Sequence, residues 1–432
     1  MKRIAFVFLL FLIGIFTLSA QTKSIQKTPP LSEASPESVG ISPERLARID
    51  KMCKEAVAEN QVPGVVSLVA RNGKIVHWKA YGMADNASGK KMERDAIFRI
   101  ASQTKAVTAT AVMMLWEEGK FRLDDPISKY IPEFKNAQIL KDFRYSDTTW
   151  TTEPAKNQIT IRHLLTHTSG LGYGEIDGDE RMKMIYKKAG IVIAFSSDNV
   201  TNEENIKKLA TLPLHFEPGA KYRYCMGLDV LGYFVEVISG MLFDEFLETR
   251  LFKPLGMNDT YFYLPDNKAD RLVTVQRKVD EKWEKFPITF YDTDYPIIGA
   301  KSFFAGGAGL CSTVKDYATF LQMYLNGGEY NGIRILSRTT VYAIMGNQFT
   351  NIWGDDADNF YGLAFLVMTE KGSAKGGEGY PGRFGWGGYF NTQYFADPTD
   401  KILGVIMKQT QGNSGDQTGW KFQQLVFQTI DD

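Results

Sequence analysis

The chain is poor in histidine and cysteine, with four histidines and three cysteines among 432 residues. Three scattered cysteines, Cys53, Cys225 and Cys311, are too few for a disulfide scaffold, and no Cys-x-x-Cys spacing indicates a zinc or redox site. One pair could bond in an oxidising compartment, but three buried thiols are the expected arrangement. His163 and His167 have the helical spacing of a metal-binding pair. No nearby carboxylate or third histidine completes such a site, so we expect a structural role for both.

The sequence also lacks an excess of either charge, since 50 lysine and arginine residues balance 50 aspartate and glutamate residues. A neutral chain has no overall field that attracts nucleic acid or an anionic membrane, and we expect neither as a partner. Beyond the N-terminal segment, no run approaches the roughly 18 apolar residues that span a bilayer. The remaining composition, 44% hydrophobic and 13% aromatic, is typical of a globular protein with a large core.

One long apolar run does occur, at the N-terminus, and it is typical of a signal peptide. Lys2 and Arg3 precede an apolar stretch over 4–18, and Leu18-Ser19-Ala20 has the small residues of a cleavage site. The sequence therefore predicts a signal peptide over 1–20. The mature protein should be exported, periplasmic or secreted, with no stable membrane anchor.

The rest of the chain is predicted to form one domain after a short leader. Residues 21–37 are polar and proline-rich, which predicts a flexible leader. Over 38–432, strands occur early and late with helices between them, which favours an α/β fold of the α+β type, an antiparallel sheet flanked by helices. The α/β part should cover about 38–136 and 285–432, and a mainly helical subdomain about 137–284.

Local patterns define several elements in this fold. Ser42 before Pro43 predicts a helix start, and Asn72-Gly73 predicts the turn of a β-hairpin over 62–81. Residues 106–116 carry no charge, which predicts a helix inside the protein. In the last third, strands are expected over 361–369, 384–395 and 402–408, followed by a helix over 416–427.

Common catalytic motifs are absent, namely Gly-x-Ser-x-Gly, the P-loop and His-Glu-x-x-His. Ser-x-x-Lys occurs four times, starting at Ser24, Ser88, Ser102 and Ser312. This spacing places a hydroxyl and an amine one helical turn apart. Because burial disfavours the charged form of an amine, a buried lysine can accept the serine proton and activate a nucleophile without histidine.

The four serines differ in their surroundings. Ser24 lies in the predicted leader and Ser88 in a polar turn, and Ser312 is explained as the N-cap of a helix over 314–325. Ser102 alone follows a buried strand and opens the buried helix, where the helix N-terminus can face a carbonyl oxygen. Ser102 is therefore the candidate nucleophile, and Lys105 is its partner.

Several segments together resemble the penicillin-recognising serine hydrolases of the class C β-lactamase superfamily. They occur in the expected order over roughly 38–430. They are Phe-Arg-Ile-Ala-Ser-Gln-Thr-Lys (98–105), Ile-Thr-Ile-Arg-His-Leu-Leu-Thr-His-Thr-Ser-Gly-Leu (159–171), Phe-Glu-Pro-Gly (216–219), Gly-Gly-Ala-Gly-Leu-Cys-Ser-Thr (306–313) and residues 320–328. The resemblance implies a β-lactamase/transpeptidase-like fold, an acyl-enzyme on Ser102, and no metal or organic cofactor.

Two further motifs depart from the penicillin-binding pattern. Tyr-x-Asn becomes Tyr224-Cys225-Met226, and Lys-Thr-Gly becomes Trp386-Gly387-Gly388. Both forms are similar to the β-lactamase-like family VIII carboxylesterases. The resemblance implies that Tyr224 shares the proton handling with Lys105, either of which could be the base. It also implies that Trp386, Gly387 and Gly388 bind substrate, and that the N–H groups of Ser102 and Tyr389 form the oxyanion hole.

The departures bear on the substrate. Lys-Thr-Gly can hold a carboxylate, whereas Trp386 cannot, so a small or short-chain ester is the expected substrate, with residues 172–215 shaping the entrance. Three alternatives remain open: a β-lactamase or D-amino-acid peptidase in which Arg383 or Lys375 binds the carboxylate, an amidase, and a non-catalytic binding or sensory protein on this scaffold.

Overall fold

The computed structural model describes residues 22–349, 357–412 and 415–432, so the predicted signal peptide lies outside the described residues. The strands are β1 (Thr22–Lys23), β2 (Ser32–Glu33), β3 (Gly64–Arg71), β4 (Lys74–Asp85), β5 (Lys90–Lys91), β6 (Phe98–Arg99), β7 (Gln138–Arg144), β8 (Thr149–Pro154), β9 (Gln276–Val279), β10 (Lys282–Lys285), β11 (Cys311–Ser312), β12 (Glu329–Tyr330), β13 (Ile333–Arg334), β14 (Asn359–Tyr361), β15 (Leu366–Met368), β16 (Phe384–Gly388), β17 (Thr392–Asp397) and β18 (Ile402–Met407).

Helices lie between and around these strands. They are α1 (Pro43–Ala58), α2 (Thr104–Glu117), α3 (Ile161–Leu165), α4 (Glu180–Ala189), α5 (Asn202–Leu209), α6 (Gly227–Ser239), α7 (Phe243–Leu247), α8 (Lys253–Leu255), α9 (Tyr295–Ile298), α10 (Val314–Leu325), α11 (Arg338–Met345), α12 (Glu370–Gly376) and α13 (Thr418–Phe427). Within the part of the chain that the structure describes, no helix is long and apolar enough to cross a membrane.

The central sheet joins the two ends of the chain, as the sequence predicted. Its strand order is β14-β15-β16-β17-β18-β3-β4-β2, with β5 paired to β4. All of these pairings are antiparallel except that of β2 with β4. The first and last parts meet where β18 pairs with β3, Ile402 opposite Arg71 and Met407 opposite Val66. The predicted α+β architecture is confirmed.

Both faces of the sheet are covered, and alternate residues of β3 lie in different cores. Val65 and Val69 pack with α1 and α13, whereas Val66 and Leu68 pack in the larger core that contains α2. This alternation follows from the two-residue period of a strand. The eight residues of β3 are therefore all buried.

The predicted local elements are largely confirmed. The Ser42 side chain accepts a hydrogen bond from the Arg45 N–H (3.3 Å), and Pro43 begins α1. β3 and β4 flank Asn72-Gly73, both of which have positive φ, as the hairpin turn requires. α2 is buried from Thr104 to Leu115. In the last third, β18 and α13 lie where a strand and a helix were predicted.

Two predicted strands are hairpins instead. Residues 361–369 contain the end of β14, a turn and β15, with Ala364 at a φ of 66°. Residues 384–395 contain β16, a turn and part of β17, with Asn391 at a φ of 64°. Neither turn interrupts the apolar pattern, and alanine rarely takes positive φ, so the sequence does not mark the first turn. The second turn was predictable from Asn391, because asparagine tolerates positive φ.

Two further expectations differ from the structure. Ser312 lies in β11 and its hydroxyl contacts that of Thr260 (2.8 Å), while Thr313 is the N-cap of α10. Residues 22–37, predicted as a flexible leader, pack against the domain: β1 pairs with β13, and β2 pairs with β4. The Leu31 N–H also donates to the Tyr330 hydroxyl (2.8 Å). The partners of β1 and Leu31 lie about three hundred residues away along the chain, and that of β2 lies about forty residues away, so local composition does not reveal them.

Candidate active site

Ser102 and Lys105 are brought together at the start of the buried helix. Ser102 lies in a one-turn 3-10 helix, Ala101–Gln103, that continues directly into α2. The Lys105 Nζ lies 3.2 Å from the Ser102 Oγ, and the lysine side chain is fully buried. Ala101 has a φ of 46°, a conformation that is uncommon for residues other than glycine. The backbone thus turns sharply just before the serine, and the predicted pair has hydrogen-bonding geometry.

The Lys105 amine contacts three oxygen atoms. Besides Ser102, its Nζ donates to the Gly307 carbonyl (2.7 Å) and to the Tyr173 hydroxyl (2.9 Å). A carbonyl oxygen can only accept, whereas a hydroxyl can accept or donate. A neutral amine can therefore keep N–H bonds to Gly307 and Tyr173 while its lone pair faces the hydroxyl of Ser102. This arrangement suits transfer of the serine proton to Lys105.

Gly307 is held in place by a buried carboxylate. The Asp229 Oδ1 accepts a hydrogen bond from the Gly307 N–H (3.0 Å), and burial raises the pKa of Asp229 while the Lys105 charge opposes that rise. A Cβ on Gly307 would lie 2.4 Å from the Asp229 Oδ2, so glycine alone fits here. The carbonyl that contacts Lys105 is fixed through this peptide.

Tyr224 lies against the same lysine through its ring. The Lys105 Nζ lies 4.5 Å from the ring centroid, a cation–π distance, and the Tyr224 hydroxyl accepts a hydrogen bond from the Trp386 Nε1 (3.4 Å). The ring also stacks on that of Tyr173, with centroids 5.4 Å apart and planes 15° from parallel. The three residues predicted as catalytic therefore lie together.

Tyr173 is the site residue that the sequence reasoning missed. It follows the 159–171 motif by two positions, within the stretch expected to shape the entrance. Its side chain is buried, contacts Lys105, and lines the cavity beside Ser102. Burial raises the pKa of Tyr173 well above its usual value, so the hydroxyl keeps its proton.

We expect Tyr173→Phe to lower kcat about 10- to 100-fold, because Lys105 becomes charged as it accepts the serine proton and a hydrogen bond to a charged group contributes roughly 1.5–3 kcal/mol. Steady-state hydrolysis of a p-nitrophenyl ester measures the effect. Tyr324→Phe is the matched control, since this buried hydroxyl contacts Thr110 in the core (2.7 Å) and does not line the cavity. A wild-type kcat in Tyr173→Phe would show that Lys105 does not need this contact.

A pocket opens beside Ser102, with about 350 Å³ of empty space that includes part of the open solvent. Its walls come from six stretches of the chain and carry neutral side chains. The lining residues are Ser102, Tyr173, Ile176, Ile193, Ala194, Phe195, Phe290, Tyr291, Ala308 and Tyr389. The expectation that residues 172–215 contribute to the entrance agrees with five of these positions, whereas Phe290 and Tyr291 had no sequence signal.

Trp386, Gly387 and Gly388, predicted to bind substrate, directly precede the pocket residue Tyr389 but are not among the residues that line the pocket. Trp386 packs on Tyr224 and on Tyr361, with ring centroids 5.8 and 5.5 Å apart. A Cβ on Gly388 would lie 2.4 Å from the Ile100 carbonyl, so glycine lets β16 approach the segment before Ser102. The next residue, Tyr389, lines the pocket. In the structure Trp386 supports Tyr224, and Tyr389 faces the cavity.

Comparison with known proteins gives the family. The Beta-lactamase family model matches residues 49–428. The chain belongs to the beta-lactamase family. It is a serine hydrolase of the beta-lactamase fold, as the sequence resemblance implied.

The chain is similar to proteins that are named as an esterase and as a putative carboxypeptidase. Esterase EstB of Burkholderia gladioli is 29% identical over 402 residues, which cover 86% of this chain and 93% of EstB. The "Putative D-alanyl-D-alanine carboxypeptidase" of Escherichia coli O157:H7 is 29% identical over 405 residues, or 89% of this chain and 86% of that protein. The solved structure of EstCE1, a hydrolase with promiscuous acyltransferase activity, matches with a TM-score of 0.74 and 25% identity over 90% of this chain and 98% of EstCE1.

Lys375 and Arg383, the two cations considered for binding a substrate carboxylate, do not line the pocket of this beta-lactamase family member. The Lys375 Nζ forms an exposed ion pair with Asp358 (2.7 Å). Arg383 precedes β16, whose other end lies near Ser102, and the charges of Glu378 and Asp397 act on it.

The two histidines at helical spacing contact other parts of the chain. His163 forms a capping box with Thr160 at the start of α3, and His167 is buried against Cys225. In the described ranges no group of three or more His, Cys, Asp or Glu side chains could hold a metal ion. Cys53, Cys225 and Cys311 are free and buried, as expected.

A second constellation has the residue types of a catalytic triad. The Ser67 Oγ lies 2.8 Å from the His77 Nε2, and the His77 Nδ1 lies 3.9 Å from an Asp50 carboxylate oxygen. Ser67 is fully buried, and burial lowers the pKa of His77 to about 4. A serine without access to a pocket cannot meet a substrate, so this cluster is part of the core between β3, β4 and α1.

Proposed function

We propose that the protein is an exported carboxylesterase that hydrolyses small or short-chain uncharged esters through an acyl-enzyme on Ser102. The observation that carries the proposal is the pocket beside Ser102, whose described lining has no charged side chain. Burial of an unpaired carboxylate in such surroundings is costly, which disfavours β-lactams and D-alanyl peptides. The kinship with EstB agrees with this substrate class. Export rests on the signal-peptide pattern over 1–20.

The reaction follows from the contacts of the site. The Ser102 Oγ attacks the ester carbonyl carbon while its proton passes to the Lys105 Nζ. The N–H groups of Ser102 and Tyr389 bind the negative oxygen of the tetrahedral intermediate, and each such donor is typically worth about 3 kcal/mol of barrier. Tyr224 then delivers a proton to the leaving alcohol oxygen as the C–O bond breaks.

Deacylation repeats these steps with water as the nucleophile. Water gives its proton to the deprotonated Tyr224 oxygen and adds to the acyl carbon. Ser102 then leaves as the protonated Lys105 returns a proton to the serine oxygen. Lys105 and Tyr224 end in their starting states, so the cycle balances. Asp229 and Gly307 hold the Lys105 amine in position throughout.

A second candidate function is a D-amino-acid peptidase or β-lactamase, which the relationship to the carboxypeptidase of E. coli favours. Such substrates carry a carboxylate. Because Lys375 and Arg383 lie away from the pocket, no cation on the described walls is placed to bind it.

Substrate profiling tests the proposal. We expect kcat/KM for p-nitrophenyl acetate or butyrate to exceed that for nitrocefin and for a D-alanyl-D-alanine peptide by at least about a hundredfold, since an unpaired carboxylate costs a few kcal/mol. Acetyl and butyryl esters should also be better substrates than palmitoyl esters. Nitrocefin turnover above ester turnover would reverse the assignment in favour of the second candidate.

A further inference from the structure

A buried histidine lies directly behind Tyr224. His167 is fully buried, and its ring centroid lies 4.5 Å from that of Tyr224. Tyr361 and Tyr222 surround the same imidazole, with centroids 5.5 and 6.0 Å away. The reaction described above makes no use of this side chain.

His167 holds both backbone N–H groups that flank Tyr224. Its carbonyl oxygen accepts from the Arg223 N–H (2.8 Å), and its Nδ1 accepts from the Cys225 N–H (3.2 Å). One residue therefore holds the chain on both sides of Tyr224, at the N–H groups of residues 223 and 225. The φ of His167 is 57°, a left-handed conformation that histidine tolerates better than most residues and that directs the carbonyl and the ring to the same segment.

The imidazole is suited to holding and not to proton transfer. Since a backbone N–H can only donate, the Nδ1 must carry a lone pair, which puts the ring proton on the Nε2. Burial, reinforced by the nearby Lys105 charge, lowers the pKa of His167 well below its usual value. The ring stays neutral through the working pH range.

We infer that His167 is a positioning residue that acts through Tyr224, clamping residues 223 and 225 so that the tyrosine hydroxyl meets the leaving group. The inference rests on the proposed role of Tyr224 in ester hydrolysis. Misplacing a catalytic group by about 1 Å can cost roughly a hundredfold in rate. His167→Ala removes the Nδ1 acceptor and the ring that supports Tyr224, while the main-chain carbonyl remains.

A double-mutant cycle tests this role. We expect His167→Ala to lower kcat by about 10- to 100-fold in the wild-type background, and by less than about twofold when Tyr224 is already Phe. His167→Asn should restore much of the rate, because asparagine accepts positive φ and offers an acceptor oxygen. The pH profile of His167→Asn should match that of the wild type, since His167 stays neutral through the working pH range.

The controls separate positioning from general damage. His163→Ala, in the same motif but away from Tyr224, should leave kcat within about twofold of the wild type. Equal losses from His167→Ala in both backgrounds would overturn the inference, because a purely structural defect is independent of Tyr224. If Tyr224→Phe alone keeps the full rate while Ser102 remains reactive, the assigned role of Tyr224 fails first, and the inference falls with it.

Discussion

Ser102→Ala is expected to lower kcat/KM for p-nitrophenyl butyrate by at least a thousandfold and to abolish covalent labelling by a fluorophosphonate. Removal of the nucleophile from a serine hydrolase leaves only the catalysis supplied by binding and the oxyanion hole, and losses on the order of 10⁶ occur in other enzymes. Intact-mass measurement of the labelled protein reads the result directly. The wild type should carry one adduct, and Ser102→Ala none.

The chain offers a matched control in a second Ser-x-x-Lys sequence. Ser88 has the same spacing to Lys91 but lies in an exposed turn. Ser88→Ala should label and hydrolyse like the wild type. A folded wild-type protein that takes up no label would mean that Ser102 is not activated, and the reading as a binding or sensory protein would then replace the proposed esterase.

The nucleophile and its lysine are predictable because their relationship is local. Residues 102 and 105 lie one turn apart on a helix, and the helix is evident from its uncharged sequence. Tyr224 came from the family resemblance, which the matched family supports. By contrast, the third oxygen on Lys105 is the backbone carbonyl of Gly307. Because every residue has a backbone carbonyl, the residue types in the sequence do not show which carbonyl will contact Lys105.

The pocket wall was harder to predict for a similar reason. Phe290 and Tyr291 line the pocket beside Ser102 from a loop nearly two hundred residues further along the chain. The Tyr291 ring packs on the rings of Phe195, Phe286 and Tyr389, and the Phe290 ring packs on that of Tyr291. Aromatic residues in a loop are equally consistent with core or surface. The meeting of early and late strands in one antiparallel sheet was predictable from the sequence pattern, whereas contacts between loops depend on the finished fold.

Lys105→Met is expected to lower kcat at least a thousandfold while changing the free energy of unfolding by less than about 2 kcal/mol. Activity falls because no other basic nitrogen contacts Ser102 among its described partners. Stability changes little because the partners of Lys105 are neutral oxygens of Ser102, Tyr173 and Gly307. Loss of their hydrogen bonds is offset by removal of a buried amine that had to be desolvated.

Lys408 is a second buried lysine, but unlike Lys105 it contacts a charged side chain. Its Nζ lies 2.6 Å from the Asp416 carboxylate and 2.6 Å from the Thr418 hydroxyl. Lys408→Met leaves Asp416 buried without a cation, so we expect the free energy of unfolding to fall by about 3–5 kcal/mol. The folded fraction should keep the wild-type kcat.

The two variants together distinguish a catalytic amine from a structural one, with kcat and denaturant unfolding as the paired measurements. If Lys105→Met lost stability as Lys408→Met does, its loss of activity would be explained by unfolding. If it remained folded and active, proton acceptance from Ser102 would have to pass to Tyr224, whose ring lies 4.5 Å from the position of the amine. Tyr224→Phe in the Lys105→Met background would then abolish the remaining turnover.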